Sequence, residues 1–474
     1  MGKWFQWGGP AAGLFGSGRP PSAGAPPLGS LEFLAREWLA WESSPRRREQ
    51  LLGELYYRGE QKILSRKRTV IGPEGMPVEV ANLPNARLTD NQYARMLDQK
   101  LDYLLGRPPA LETEDNAYRQ ALQAMLGPGF FRTLRALGHD ALAGGCGWLA
   151  PWWGEDGLRL RRFAPWEVLP FWEDGDHTRL EAALRVYRRE EYGARGRETG
   201  QYAELYTPQG VYRFRREGGR LVKDAPFRAP YLWAGAGGSR KPLAWGRLPL
   251  IPWKSGPEEL PLLNRVKSLQ DAVNLILSSF VNGMQEDPRN TILVLVNYDG
   301  QNLGEFRRNL AAYGAVKVRS DAGAPGGDVR TLSLEVNGEN YRAVLELLKR
   351  ALVENARGYD ARDLRAAGTP NEMNLRSVFS DMDLDANRME AEFQASFQEL
   401  LYFFNLALKA AGRGDFTGRQ AELIFNRDTI VNESQVIQDV KNSQGLLSQE
   451  TLVAQHPWVK DVSAELARLA DSGR

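Results

Sequence analysis

The sequence predicts an α+β protein with helices towards both ends and short strands in the middle. Three observations predict it. Helix-like patterning fills much of the stretch from Leu31 to Ala143, and apolar residues recur at three- and four-residue spacing after Pro257. Between Trp148 and Trp253 the texture changes to short aromatic and β-branched runs separated by Gly, Pro and Asp. Two long helical stretches then bracket a compact block that alternates strand and helix.

Residues 1–30 are rich in Gly, Ala, Pro and Ser, which bury little and break regular structure, so they read as a disordered tail. From Leu31 a helix is expected, with Leu34, Trp38 and Trp41 on one side. Leu88 to Leu105 reads as another, ended by Gly106 with Pro108 beyond, and Phe131 to Ala143 as a third, closed by Gly144-Gly145. The expected strands are Trp148–Trp153, Leu158–Arg162, Leu180–Tyr187, Tyr202–Tyr206 and Val211–Arg215. Gly218-Gly219 marks a turn and Gly235 to Gly238 a loop.

Pro261 suits a first helical turn. From Leu262 through Val266, Leu269, Val273, Leu277 and Val281 the pattern gives a helix of about two dozen residues, roughly 36 Å long, ended by Asp287-Pro288. The block that follows reads as strand (Thr291–Tyr298), helix (Leu303–Tyr313), strand (Ala315–Arg319), loop (Asp321–Asp328) and strand (Val329–Val336). A second long helix covers Glu339 to Gly358. A charged Gly/Pro-punctuated segment spans Asp360 to Pro370, and a very long helix spans Asn371 to Ala411, with a kink expected near Asp381 to Asp385. The two helices around the block can run antiparallel, each carrying more apolar circumference than one partner covers. Burial against neighbouring subunits and an ordinary helical bundle both fit that pattern.

Composition bounds the function. At 474 residues, 42% hydrophobic and 25% charged, the chain is long enough for two or three compact units of a soluble protein. Lys+Arg total 61 against 59 Asp+Glu, so the bulk charge gives no sign of a strongly basic DNA-binding face. Cys146 is the only cysteine, which excludes an intrachain disulfide and fits a reducing compartment. Apolar runs fall short of a membrane span and no signal peptide is evident, so a soluble intracellular product is expected.

Motifs that suggest chemistry fail on their details. Gly235 to Lys241 hints at a phosphate loop, but Arg240 precedes Lys241 and Pro242 follows where Ser or Thr belongs. Asp381, Asp383, Asp385 and Glu392 have the spacing of a calcium loop, but its sixth position is Ala386, not the Gly that the sharp turn needs. These acids are expected on the polar side of a kinked helix. His139, His177 and His456 are scattered, and Cys146 reads as a small buried residue. The tryptophans Trp148, Trp152, Trp153, Trp166, Trp172 and Trp233 suit packing better than base stacking. No catalytic group, cofactor or metal is expected.

Several stretches resemble a known family. Leu55-Tyr56-Tyr57-Arg58-Gly59-Glu60-Gln61-Lys62-Ile63-Leu64 is similar to the opening pattern of the portal proteins of tailed double-stranded DNA phages, in the branch typified by Bacillus siphophages. Asp98-Gln99-Lys100-Leu101-Asp102-Tyr103-Leu104-Leu105-Gly106-Arg107-Pro108 resembles a signature of that branch. Ile430 to Ser434, Lys441 to Gly445, Leu447 to Thr451 and His456 to Val462 resemble its ending. The matches run in order over roughly residues 50–470. Thr369-Pro370-Asn371-Glu372 departs from the Ser-Gly pair of many relatives.

The resemblance implies a portal fold. A mixed α/β wing would cover 31–257 with 371–426 (a long kinked helix and a strand), stem helices 258–286 and 338–358, a small α/β clip 287–337, a tunnel loop 359–370 and a helical crown 427–474. It implies a non-enzymatic homo-oligomeric ring of about twelve subunits at one capsid vertex of the virion, assembled in the host cytoplasm. That ring would conduct double-stranded DNA in packaging and ejection. Its expected partners are the terminase large subunit, head–tail adaptor proteins, and capsid and scaffolding proteins. The tunnel-loop residues Arg362, Asp363, Leu364, Arg365, Thr369 and Asn371 are the expected DNA-facing set, and Arg307, Arg308, Lys317 and Arg319 the expected terminase-docking set on the clip. A conduit should not grip its cargo, because each neutralised phosphate releases counterions and favours a fixed register; a net charge of +2 is compatible with sliding. The competing readings are a nucleic-acid-processing enzyme, discriminated by hydrolysis lost on mutating Asp381 and Asp383, and a structural adaptor without a channel.

Overall fold

The computed structural model describes residues 30–71, 75–80, 83–154, 157–193, 196–229, 232–234, 241–243, 245–286, 291–296, 328–333, 338–360, 372–425, 427, 433–459 and 462–472. Helices mix with antiparallel sheets, and the chain divides into two compact units. The first comprises Met1–Arg58, Tyr93–Arg265 and Val353–Arg474, the second Gly59–Gln92 and Val266–Leu352.

In the first unit, α1 (Leu31–Ser43) starts where the Ser30 hydroxyl accepts the Phe33 N–H, and α2 (Pro45–Tyr57) where Ser44 caps Arg47 with Pro45 in the first turn. The first unit's largest sheet is built from β6 (Val168–Trp172), β7 (Leu180–Gly193), β8 (Gly196–Thr207), β9 (Gly210–Glu217) and β10 (Arg220–Ala229), each paired antiparallel with the next. Side chains alternate across a strand, so Ala182, Leu184 and Val186 share one face with Ala203, Leu205 and Phe214. That face buries Phe33, Leu34, Trp38 and Trp41 of α1. Each such large side chain contributes roughly 1.5–3 kcal/mol by leaving water.

The opposite face holds a charged cluster. Arg185 joins Glu167 at 2.9 Å and Glu204 at 3.1 Å, and its guanidinium stacks 4.1 Å from the rings of both Phe163 and Tyr187.

A second sheet orders β4 (Cys146–Gly154) between β5 (Gly157–Phe163) and β13 (Ile251–Lys254). The helix α5 (Phe130–Gly144) runs into β4 through Gly145, whose φ of 82° only glycine adopts easily. Trp148 and Trp253 are buried, whereas Trp152 is 42% exposed. Trp253 meets Phe393 of a 39-residue helix, Glu372–Ala410, edge-on at 5.0 Å. That helix runs as one element through Asp381 to Asp385. Helices Glu433–Asn442, Gln449–Gln455 and Val462–Ser472 end the chain. Other segments run further than their sequence patterns: β7 and β8 stay paired as far as Gly193 and Gly196.

The second unit holds most of α6 (Leu263–Glu286), most of α7 (Gly338–Asn355), the pair β14 (Thr291–Val296) and β15 (Asp328–Ser333), and a hairpin of β1 (Thr69–Ile71) with β2 (Pro77–Glu79). Phe280 contacts Tyr341 at 5.1 Å. Gln270, Asn274, Ser278 and Asn282 form a polar row along α6, each no more than 1% exposed. Their partners lie on the extended segment before α3 (Gln92–Leu105). Asp90 donates its N–H to Asn274 Oδ1 at 2.9 Å, Leu88 to Ser278 Oγ at 3.0 Å and Ala86 to Asn282 Oδ1 at 2.7 Å. The helix expected from Leu88 therefore begins at Gln92, because the backbone donors before it are committed to α6.

Candidate functional site

The helix α3 exposes its chemistry by spacing. Tyr93, Met96, Leu97, Leu101 and Leu104 are buried, and Lys100 falls on that same apolar side at 7% exposure. A lysine placed there needs partners. It has two: Lys100 Nζ donates to Asp385 Oδ2 at 2.8 Å and to the Arg357 carbonyl at 3.1 Å.

Asp385 is a hub. Its carboxylate also receives Arg265 at 2.8 Å and Arg357 at 2.9 Å. Burial alone would raise its pKa, but the charges and hydrogen bonds of Lys100 and Arg265 outweigh burial and hold it below the usual carboxylate range. Burial lowers the Lys100 pKa against the opposing pull of Asp385. Arg357 adopts φ 51°, an uncommon conformation for a residue with a side chain, held by bonds to both its carbonyl and its guanidinium.

The same helix grips the chain on both sides of residues 361–371. Gln99 Nε2 donates to the Tyr359 carbonyl at 3.1 Å, and Gln99 Oε1 accepts the Tyr359 N–H at 3.0 Å. Arg95 pairs with Asp360 at 3.5 Å. From the far side Phe379 stacks on Tyr103 at 6.0 Å and meets Tyr359 edge-on at 4.8 Å. Tyr103 Oη donates to Asp383 at 2.5 Å, and Arg427 joins Asp383 at 3.3 Å and Glu390 at 2.5 Å. A cavity of about 280 Å³ beside this hub is lined by Leu142, Leu262, Met382 and Met389 and by charged residues of both signs, Lys100, Arg265 and Arg388 with Glu258, Glu259 and Asp385.

A second buried centre surrounds Glu259. Arg46, Lys254 (3.0 Å) and His177 (3.0 Å) converge on its carboxylate. Burial opposes ionisation, but the His177 hydrogen bond and the charges of Arg46 and Lys254 prevail and depress the carboxyl to about 2. Glu259 sits at φ 53°, its carbonyl packed against Gly145.

The DNA-facing candidates Arg362, Asp363, Leu364, Arg365, Thr369 and Asn371 lie outside the described residues, as do Arg307, Arg308, Lys317 and Arg319 and the Gly235 to Arg240 stretch. Asp383 and Asp385, weighed as calcium ligands, belong to a helix and face cations. Among the described residues no group of His, Cys, Asp and Glu is placed to hold a metal. No helix among them is long and apolar enough to cross a membrane. Sequence reasoning missed Gln99, Lys100, Arg265, Arg357 and Tyr359 as a site. The available signal was a lysine on the apolar side of α3.

These centres are ion-pair and aromatic joints that brace the first unit. The model described as "Phage portal protein, SPP1 Gp6-like" matches residues 42–474, and the chain belongs to that family. It is similar to the portal protein of Bacillus phage SPP1, 28% identical over 429 residues, covering 89% of this chain and 83% of that protein. The portal protein of Clostridium phage phiCD119 is 22% identical over 433 residues, covering 88% of this chain and 91% of that protein. A solved structure of the neck of an empty GTA particle, computed with C6 symmetry, aligns with TM-score 0.42 and 14% identity over 82% of this chain and 95% of its own.

Proposed function

We propose that the chain assembles into a closed ring of about twelve copies that conducts double-stranded DNA into and out of a capsid. The observation that carries this reading is the family match over residues 42–474. Physical features support it. On α6 and α7, Leu275, Met284, Val344 and Leu347 are 42–68% exposed, apolar side chains that head-to-tail neighbours in a ring would cover. A near-neutral chain suits a surface that must let phosphates slide.

In this reading α6 and α7 are the stem and the block from 287 to 337 is the clip. The tunnel loop is 359–370, residues 31–257 with 371–426 form the wing, and 427–474 the crown. The Gln99–Tyr359 and Tyr103–Phe379 contacts anchor the tunnel loop at its two ends. The conduit itself hydrolyses nothing; a terminase docked on the clip supplies the energy, and head–tail adaptors replace it later. Its place is the portal vertex of the virion, after assembly in the host cytoplasm with capsid and scaffolding proteins.

Native mass spectrometry and negative-stain imaging of the purified chain test the ring. The expected particle has about a dozen subunits and an opening wide enough for a duplex. A monomer at high concentration in every salt overturns the reading. Deleting Asp363 to Gly368 should leave rings intact and impair packaging; unimpaired packaging removes the loop from the mechanism.

A further inference from the structure

We infer that the cavity beside Asp385 is a binding site for a small amphipathic anion, a carboxylate or phosphate head on a short apolar body. Its lining and the charges around it all belong to the first unit, and the inference does not depend on the ring.

The first observation is an excess of positive charge. Asp385 Oδ2 takes Lys100 Nζ and Arg265 Nη1, each at 2.8 Å, and Oδ1 takes Arg357 Nη1 at 2.9 Å. Three cations thus share one carboxylate. The other carboxylates at the cavity are committed elsewhere. Glu258 pairs with Arg388, and Glu259 holds Arg46, Lys254 and His177. Glu49 takes the amide of Asn264, a lining residue, at 3.0 Å. Asp381 lies one turn before Asp385 on the same helix, and among the described residues it pairs with none of the three cations. The surplus is left for an anion from outside the unit.

The second observation is unused donors. A guanidinium carries five N–H groups in a flat fork that fits the two oxygens of a carboxylate or phosphate. Among the described residues, Arg265 and Arg357 each commit only Nη1 of that fork to a side-chain partner. The rest can receive an ion, because the two side chains are 38% and 46% exposed, whereas Lys100 is 7% exposed. Arg265 and Lys100 line the cavity themselves, and Arg357 is tied to it through Asp385.

The third is the wall beside those charges. Leu104, Leu142, Leu262, Met382 and Met389 line about 280 Å³, near the small end of the range for ligand sites. An alkyl body there leaves water and gains the transfer energy of each buried methylene. A bare ion leaves that wall wet, and an uncharged alcohol leaves the arginine forks unused. A cation is repelled by the surplus charge. Only a ligand with both an anionic head and an apolar body uses the whole site.

Calorimetric titration of the full-length protein tests this with hexanoate, hexyl phosphate, acetate, inorganic phosphate and 1-hexanol. The better of hexanoate and hexyl phosphate identifies the head. It is expected to bind once per chain, about ten-fold or more tighter than its head alone and than hexanol. Arg265→Gln should weaken it about five-fold or more, and Ala386→Leu, which fills the cavity, should abolish it. Arg247→Gln, outside the lining, should leave it unchanged. In the native protein labelled with ¹³C at its methionine methyls, the ligand should move the signals of Met382 and Met389 and not that of Met76. Equal affinity for hexanoate, hexyl phosphate, their heads and hexanol overturns the inference. So does binding that survives both site substitutions, or that leaves the Met382 and Met389 signals in place.

Discussion

The backbone N–H of Asp90 donates to Asn274 Oδ1 at 2.9 Å, and the amide of the same Asn274 donates to Gln61 Oε1 at 2.5 Å. One buried side chain thus ties two separate stretches of the leading segment to α6. Replacing it with leucine strands a donor and an acceptor. Asn274→Leu is expected to cost about 1–3 kcal/mol, read by chemical denaturation, with faster hydrogen exchange at the Asp90 amide. Unchanged stability and exchange would mean that the bond does not form.

The Asp385 hub gives a sharper prediction. Removing its carboxylate leaves Lys100 buried with only a carbonyl partner and brings three cations together. Asp385→Ala should destabilise by about 3–5 kcal/mol. Adding Lys100→Met should recover a good part of the loss, because the stranded charge is then gone. A double variant as unstable as the single one would show that packing, not charge, sets the cost.

Acid should loosen the Glu259 centre. Its carboxyl sits at about 2 in the fold and near 4.3 when unfolded. The depressed folded value means that its stabilisation is complete above the unfolded value and is lost as pH falls towards 2. At roughly 1.4 kcal/mol per unit, the contribution is on the order of 3 kcal/mol. Denaturation midpoints of Glu259→Gln should fall less between pH 5 and pH 2.5 than those of the native chain. Parallel curves would refute the linkage.

Gly145 tests the backbone. It has φ 82°, and an added Cβ would overlap the Glu259 carbonyl. Gly145→Ala is expected to cost at least about 2 kcal/mol. Gly127→Ala, at φ 65° with open space around it, should be milder, and comparing thermal midpoints separates collision from conformation.

Burial pushes the Cys146 thiol well above its ordinary value. A thiol reagent should therefore label the folded protein only at the rate of unfolding, and rapid labelling under native conditions would contradict its burial.

The sequence by itself determined the local elements and the family. Aromatic and β-branched runs bounded by turn residues pointed to parts of β7 and β8, three- and four-residue spacing to α6 and α7, and Gly144-Gly145 to the end of α5, because these signals act between near neighbours. Ordered motifs from Tyr56 to Val462 carried the family resemblance, which the match over residues 42–474 bears out. The tertiary structure alone decided where α3 begins, since Ala86, Leu88 and Asp90 give their N–H groups to residues 184 to 196 positions away. It alone gathered Lys100, Arg265, Arg357 and Asp385, whose separations of up to 285 residues leave no periodic trace. A buried lysine announces that a partner exists. Which carboxylate answers it is settled by packing, because Coulomb attraction depends on distance in space and not along the chain.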